Sequence, residues 1–279
     1  MPTANVNGTS IFYRQAGQGP DVVLVHGLAA DHAHWYLRIL PQLASEFRVT
    51  VYDLRGHGLS ASPPTGYSSA VMAADLAALL EHLGVKGAHV VGHSFGGVVA
   101  LQLARRAPTL ASRLTIADSR VRALQPVARA SAWAGWPAWQ QRLAAMGVAV
   151  DGDADLDFNL IEHVAKRGDV PRGQLPGGWT LGRRSRQRWQ TLLATTSARR
   201  ELGARAGVTR TALRRIWQPT RLVYGEHSFC LPTAYELARV LPDSRLILVS
   251  GAGHFHPITS PDTMVAQIRA FPDQGRASR

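Results

Sequence analysis

Short apolar runs of β character alternate with amphipathic helical runs along most of this chain. That alternation argues for an α/β protein: a mostly parallel central sheet with helices on both faces and an inserted lid, or cap. Two further observations support it. The clearest β run, Ala88–Gly92, is apolar except for His89, as suits a strand covered on both faces. The rhythm stops near residue 119 and resumes near residue 218, which divides the chain into a core, 1–118 and 218–279, and a lid insertion, 119–217.

The elements follow in order. Ser10–Arg14 reads as a strand behind an Asn7-Gly8 turn signal, and Asp21–His26 as the next strand. Trp35–Ala44 reads as a short helix and Arg48–Asp53 as a strand that runs into Asp53-Leu54-Arg55-Gly56-His57-Gly58-Leu59-Ser60. Val71, Leu76, Leu79, Leu80 and Leu83 give Ser69–Leu83 a helical face. After the strand Ala88–Gly92, Gly96–Ala107 is a helix halted by Pro108, and Arg113–Ala117 a further strand. Beyond the insertion come the strand Arg221–Tyr224, the helix Thr233–Leu241, the strand Arg245–Ser250 and the helix Pro261–Phe271. Within the insertion only Phe158–Ala165 and Arg186–Thr196 show helical periodicity, and the tail Gln274–Arg279 reads as frayed.

Composition bounds the function. With 279 residues, 46% of them hydrophobic, the chain can bury a core and is not generally disordered. A single cysteine, Cys230, excludes an intramolecular disulfide and any zinc site built on several thiolates. No apolar stretch approaches about eighteen residues, so no transmembrane helix is expected. The first twenty residues lack a basic region followed by an apolar run, so a cytoplasmic protein is expected. Lys and Arg number 31 against 19 Asp and Glu, a net charge of +12. Most of the excess lies in 119–217, where 17 basic residues face 7 acidic ones beside six of the seven tryptophans. Tryptophan and arginine together can hold a flat or anionic ligand, although a solvated basic surface accounts for them equally well. No nucleic-acid reader motif accompanies the charge, so nucleic acid is not the expected partner. Asp151, Asp153, Asp155 and Asp157 lack the glycine and glutamate of a calcium loop and read as a polar loop.

The chemistry is carried by Gly92-His93-Ser94-Phe95-Gly96, between an apolar strand and a helix. A serine on such a strained turn is exposed at the helix N-terminus, the geometry of a nucleophile elbow. Around it stand His26-Gly27, Asp53-Leu54-Arg55-Gly56-His57-Gly58, Tyr224-Gly225-Glu226 and Gly251-Ala252-Gly253-His254. Together, in this order, these motifs resemble the α/β-hydrolase fold family in its lid-bearing branch, over about 1–118 and 218–272. The resemblance implies Ser94 as nucleophile, His254 as general base with His256 as the competing candidate, and backbone N–H groups of Leu28 and Phe95 as the oxyanion hole. It also argues against a dehalogenase or epoxide hydrolase, whose nucleophile in this family is Asp. His26 and His57 read as structural residues, His93 as packing or a pocket contact, Asp53 and Arg55 as an ion pair holding a turn, and Cys230 as a buried or pocket-edge thiol.

The triad acid departs from the family pattern. Asp usually follows the seventh strand as G-x-x-D, but here the run is Gly225-Glu226-His227-Ser228. Three readings stand open. Asp118, at the end of the sixth strand, is preferred, since some lipases and haloalkane dehalogenases of this fold take their acid there. Glu226 is the alternative acid, and a triad without an acid is the third. The expected function is a cofactor-independent, metal-free serine hydrolase cleaving an ester or thioester through an acyl-enzyme. Its partner is a small acyl substrate, on an acidic acyl carrier protein or coenzyme A if the basic lid recognises one. A non-hydrolytic acyl transferase, cyclase or lyase, and a ligand-binding member with vestigial catalysis, are the rival readings.

Overall fold

A computed structural model describes residues 2–157, 163 and 183–271. The strands are β1 Thr3–Val6, β2 Thr9–Ala16, β3 Asp21–Val25, β4 Arg48–Tyr52, β5 Ala88–His93, β6 Ala111–Ala117, β7 Thr220–Gly225 and β8 Ser244–Val249. They form one sheet in the order β1-β2-β4-β3-β5-β6-β7-β8. The β1–β2 and β2–β4 pairs are antiparallel, and every pair from β4 to β8 is parallel. The expected mostly parallel sheet is therefore present.

Successive strand residues feed opposite faces. Val90 joins a core under the helices Ser69–His82, Phe95–Arg106 and Leu231–Val240, while Val91 joins a second core with Trp35, Ile39, Leu43, Met264 and Ile268. Helices thus cover both faces, as the largely apolar strand predicted.

Register is what gathers the site. Val25 pairs with Gly92, and His93 with Ala117. Past the strand ends, Ser94 N–H donates to Ala117 O at 2.9 Å and Asp118 N–H to Val223 O at 3.0 Å. The carboxyl ends of β3, β5, β6 and β7 therefore lie side by side, where open parallel sheets bind their ligands.

Two local expectations are corrected. The helix expected over Trp35–Ala44 is two short ones, Ala33–Tyr36 and Leu40–Leu43, because Pro41 has no N–H to donate to the Leu37 carbonyl and is tolerated only in the first turn of a new helix. Arg55 does not pair with Asp53. Its guanidinium instead grips Asp75 with Nε and Nη2 at 2.6 and 2.5 Å, inside the protein. Asp53 accepts from His32 N–H at 2.6 Å and Leu59 N–H at 2.7 Å. The fork-shaped cation takes the carboxylate that can receive it bidentately, not the one nearer in sequence.

Between β6 and β7 the described elements are a 3-10 turn at Ala130–Ala132 and helices Trp136–Ala145, Arg183–Thr195, Ala198–Glu201 and Arg210–Leu213. The periodicity at Arg186–Thr196 matches the second of these helices, while that at Phe158–Ala165 lies outside the described residues save His163, as does the tail Gln274–Arg279. Ala130, Trp136, Trp139, Leu143 and Leu156 form a small core of their own, whereas Trp189, Leu192, Leu202 and Leu213 join the main core. The alternating aspartates are structural partners: Asp155 pairs with Arg120 at 2.6 Å and Asp157 with Arg122 at 2.6 Å. Among the described residues no helix is long and apolar enough to cross a membrane.

Candidate active site

Ser94 sits between β5 and the helix Phe95–Arg106 with φ 54° and ψ −122°, a strained backbone for a residue with a side chain. The turn closes because its flanking glycines lack side chains. A Cβ on Gly92 would collide with Gly96 O, and one on Gly96 with the carbonyls of Val25 and His26.

His254 lies in the loop after β8, with Nε2 3.2 Å from Ser94 Oγ. Its ring is walled by Phe229, Phe255 and His93, with centroids 4.7, 4.9 and 5.0 Å away. His93 Nε2 also bonds the backbone carbonyl of His254 at 2.9 Å, which fixes the loop. Burial pushes His93 well below the ordinary histidine range and His34, stacked on it at 4.8 Å, down to about 3. These two rings are neutral and add no positive charge behind His254.

Asp118 follows β6 with φ 46°, and its carboxylate is fully buried. Oδ1 lies 3.5 Å from His254 Nδ1 and also accepts the Ser228 hydroxyl. Oδ2 accepts Gly225 N–H at 2.7 Å and His256 Nε2–H at 3.1 Å. Burial alone would raise this carboxyl, but the two histidines outweigh it and hold it below the usual carboxylate range. Asp118 is thus an ionised acid held by several donors.

The remaining candidates separate clearly. His256 Nε2 faces Val223 O at 3.1 Å and Asp118, so it supports the carboxylate and does not approach Ser94 in the way His254 does. Glu226 is exposed and accepts Gly251 N–H at 3.0 Å and the Ser250 hydroxyl at 3.1 Å, bracing the loop before His254. Ser228, read from sequence as a gap where an acid belongs, donates its hydroxyl to the Asp118 carboxylate. Its Oγ also accepts Cys230 N–H at 3.0 Å. The signal for this was the serine itself, a hydroxyl small enough to sit against a carboxylate arriving from another strand.

Leu28 and Phe95 both line the cavity beside Ser94, and Phe95 opens its helix, where N–H groups have no intrahelical acceptor. Gly27 backs Ser94 so closely that a Cβ there would stand 2.9 Å from Ser94 Cβ. His26 is structural: its Nδ1–H donates to Gly27 O at 2.7 Å and its Nε2 accepts Leu54 N–H at 3.1 Å. That pattern fixes a neutral tautomer and the shape of the loop leading to Leu28.

The cavity measures about 360 Å³ and is mainly apolar, with Val98, Val121, Trp139, Leu156 and Val208 among its lining. Trp133 and Trp139 reach it, Trp136 and Trp189 are buried in packing, Trp217 is exposed, and Trp179 lies outside the described residues. Tryptophan therefore serves packing at least as much as ligand contact. Cys230 lines the cavity too, with its sulfur 3.6 Å from His254 Nδ1, and burial with the Asp118 charge pushes its thiol well above the ordinary range. It is a thiol, not a thiolate.

A family model described as alpha/beta hydrolase fold matches residues 20–261. A soluble epoxide hydrolase of Corynebacterium sp. strain C12 is 40% identical over 115 residues, a match covering 41% of this chain and 40% of that protein. An uncharacterized protein of Mycobacterium tuberculosis strain H37Rv is 27% identical over 285 residues, covering 96% of this chain and 80% of the other. Among solved structures, a hydrolase from Pseudomonas aeruginosa superposes with TM-score 0.65 at 27% identity, covering 96% of each chain. The fold is also that of Est816, described as an N-acyl homoserine lactone degrading enzyme, with TM-score 0.71 at 23% identity over 97% of this chain and 100% of that one.

Proposed function

Because the chain belongs to the α/β-hydrolase fold family, we propose that it is a serine hydrolase cleaving carboxylic esters or thioesters through an acyl-enzyme. The observation that carries this reading is the 3.2 Å approach of His254 Nε2 to Ser94 Oγ on the strained elbow. His254 takes the Ser94 proton as Oγ attacks the carbonyl carbon, and Asp118 holds the imidazole with its proton on Nδ1. The backbone N–H groups of Leu28 and Phe95 receive the oxyanion. His254 then returns the proton to the leaving alkoxide or thiolate, and water repeats the sequence to free the acid.

Relatives named as epoxide hydrolases do not transfer their activity here. A serine hydroxyl stands at the elbow of this chain, and it forms an ester with an acyl group. The non-hydrolytic reading drew its support from the lack of an acid at position 228. With Asp118 beside His254, no observation favours it. The apolar cavity suits an acyl or alkoxy group of modest size without charge. A carrier-bound thioester is the extended form of the proposal, supported by the basic character of 119–217 and by Arg205, exposed at the cavity. Its association rate should fall with ionic strength, since screening shortens to about 3 Å at 1 M salt.

The test is Ser94→Ala together with labelling by a fluorophosphonate probe. Wild type should be labelled once, at Ser94, and should hydrolyse short aryl esters. The variant should lose both while keeping its circular dichroism spectrum. Undiminished turnover by a folded Ser94→Ala protein overturns the proposal.

A further inference from the structure

Cys230 is the buried nucleophilic group that acyl transfer leaves without a task. It is the chain's one cysteine. Its sulfur lies 3.6 Å from His254 Nδ1, and Asp118 Oδ1 lies 3.5 Å from the same nitrogen. The thiol sulfur, imidazole nitrogen and carboxylate oxygen all fall within 4.8 Å of one another. A triangle with edges of 3.5, 3.6 and at most 4.8 Å has a centre no more than about 2.4 Å from each corner, close to the ~2.0–2.3 Å bonds of zinc to N, O and S ligands.

We propose that Asp118, His254 and Cys230 form an inhibitory site for a thiophilic divalent cation, zinc or cadmium, entered from the substrate cavity. The donor set selects the class of ion. One sulfur and one imidazole favour zinc and cadmium, while magnesium and calcium prefer all-oxygen shells. Cys230 and His254 both line the cavity, which gives the ion a path and leaves a fourth position for water. On binding, the S–H bond breaks, sulfur bonds the cation, and that proton passes to solvent. The His254 ring keeps one proton, which moves from Nδ1 to Nε2 as the cation takes Nδ1. No electrons are transferred.

The consequence follows from the tautomer. An Nε2 that carries a proton cannot accept another from Ser94, so the cation removes the base while leaving the cavity open. Inhibition therefore lowers kcat and is not relieved by excess substrate. This consequence rests on the serine-hydrolase reading, whereas binding of the cation does not.

The test is titration with cadmium, followed through the ultraviolet thiolate-to-cadmium absorption band. With a single thiol in the chain, the band reports Cys230 alone. Wild type and Ser94→Ala should each show one cadmium thiolate per chain. Cys230→Ser should show none, and Asp118→Asn should bind at least about tenfold more weakly, as changes near a metal centre do. Zinc should inhibit ester turnover by wild type. Its inhibition constant should rise at least about tenfold in Cys230→Ser, with each protein referred to its own uninhibited rate, and magnesium should have no effect. Should the serine variant misfold, Cys230→Ala and slowed alkylation of the wild-type thiol by iodoacetamide under zinc replace it. Absence of the band in folded wild type, unchanged zinc sensitivity in Cys230→Ser, or a thiol whose alkylation zinc does not slow overturns the proposal. A protein that binds cadmium but turns over no ester keeps the site and sinks the hydrolase reading.

Discussion

Replacing Asp118 by asparagine isolates the role of its charge. The backbone at 118 has φ 46°, a conformation asparagine adopts more readily than most residues, so the substitution adds little strain. The amide has one oxygen for four neighbours. Gly225 N–H and His256 Nε2–H converge on Oδ2, at 2.7 and 3.1 Å, and will claim that oxygen. The NH₂ group then occupies the place of Oδ1, against Ser228 and His254 Nδ1. The serine hydroxyl can turn and accept, but the imidazole must accept as well, which moves its proton to Nε2. His254 then presents N–H to Ser94 and is not a base. A wrong tautomer of this kind costs about 10³ to 10⁴ in rate, or roughly 4 to 5.5 kcal/mol in transition-state stabilisation. The assay is kcat/KM for an aryl ester at neutral pH, with fluorophosphonate labelling in parallel and circular dichroism to establish folding. A folded Asp118→Asn enzyme within tenfold of wild type refutes the reasoning. Adding Ser228→Asp to that variant returns a carboxylate next to His254 and should recover at least about tenfold of the loss.

Other expectations follow from the same contacts. Glu226→Gln should change kcat/KM by less than about threefold, because the exposed carboxylate only braces Ser250 and Gly251; a loss comparable to that of Asp118→Asn would reassign the acid. Asp75→Asn should destabilise the fold by about 3 to 5 kcal/mol in urea denaturation, since it leaves the Arg55 guanidinium buried without its partner charge. Stability should decline as pH falls below about 6.5, where the unfolded chain takes up protons that its buried histidines refuse. Burial depresses His89 and His34 to about 3 and His57 to about 4, so each favours the folded state above pH 6.5 and loses that contribution as pH drops toward its folded value. His89→Gln, far from Ser94 on β5, should flatten the stability slope between about pH 4 and 6 by roughly 1.4 kcal/mol per pH unit, and an unchanged slope would show that His89 is protonated in the fold.

The sheet was legible in the sequence because strands buried on both faces are dominated by apolar residues, with only a few buried polar ones such as His89 and Thr115 among them. Val90 and Val91 feed opposite cores from adjacent positions. β1 was missed because it is four residues at the sheet edge with alternating exposure, so its apolar content is slight. In the insertion, Trp136–Ala145 was missed because a helix of ten residues with proline in its first turn gives only a brief periodic signal. Arg55 shows the limit of local pairing. Asp53 is two residues away, but Asp75 arrives on a helix in the orientation a guanidinium can grip with two bonds.

The site divides along the same line. The pairing of Ser94 with His254 was readable because each announces itself through neighbours in sequence: glycines on both sides of Ser94, and a glycine loop before His254. Asp118 does not announce itself, because its place beside His254 depends on the register between β6 and β7. Asp118 N–H bonds Val223 O, and this sets the carboxylate against Gly225, Ser228 and His254 together. Once it stands there, a second carboxylate at 228 would be repelled at contact distance, and one of the pair would be forced to stay protonated. A hydroxyl at the same point donates to the acid and helps keep it charged. Serine at 228 and aspartate at 118 are therefore a single arrangement: what reads along the chain as a missing carboxylate is a hydroxyl that donates to the one at 118.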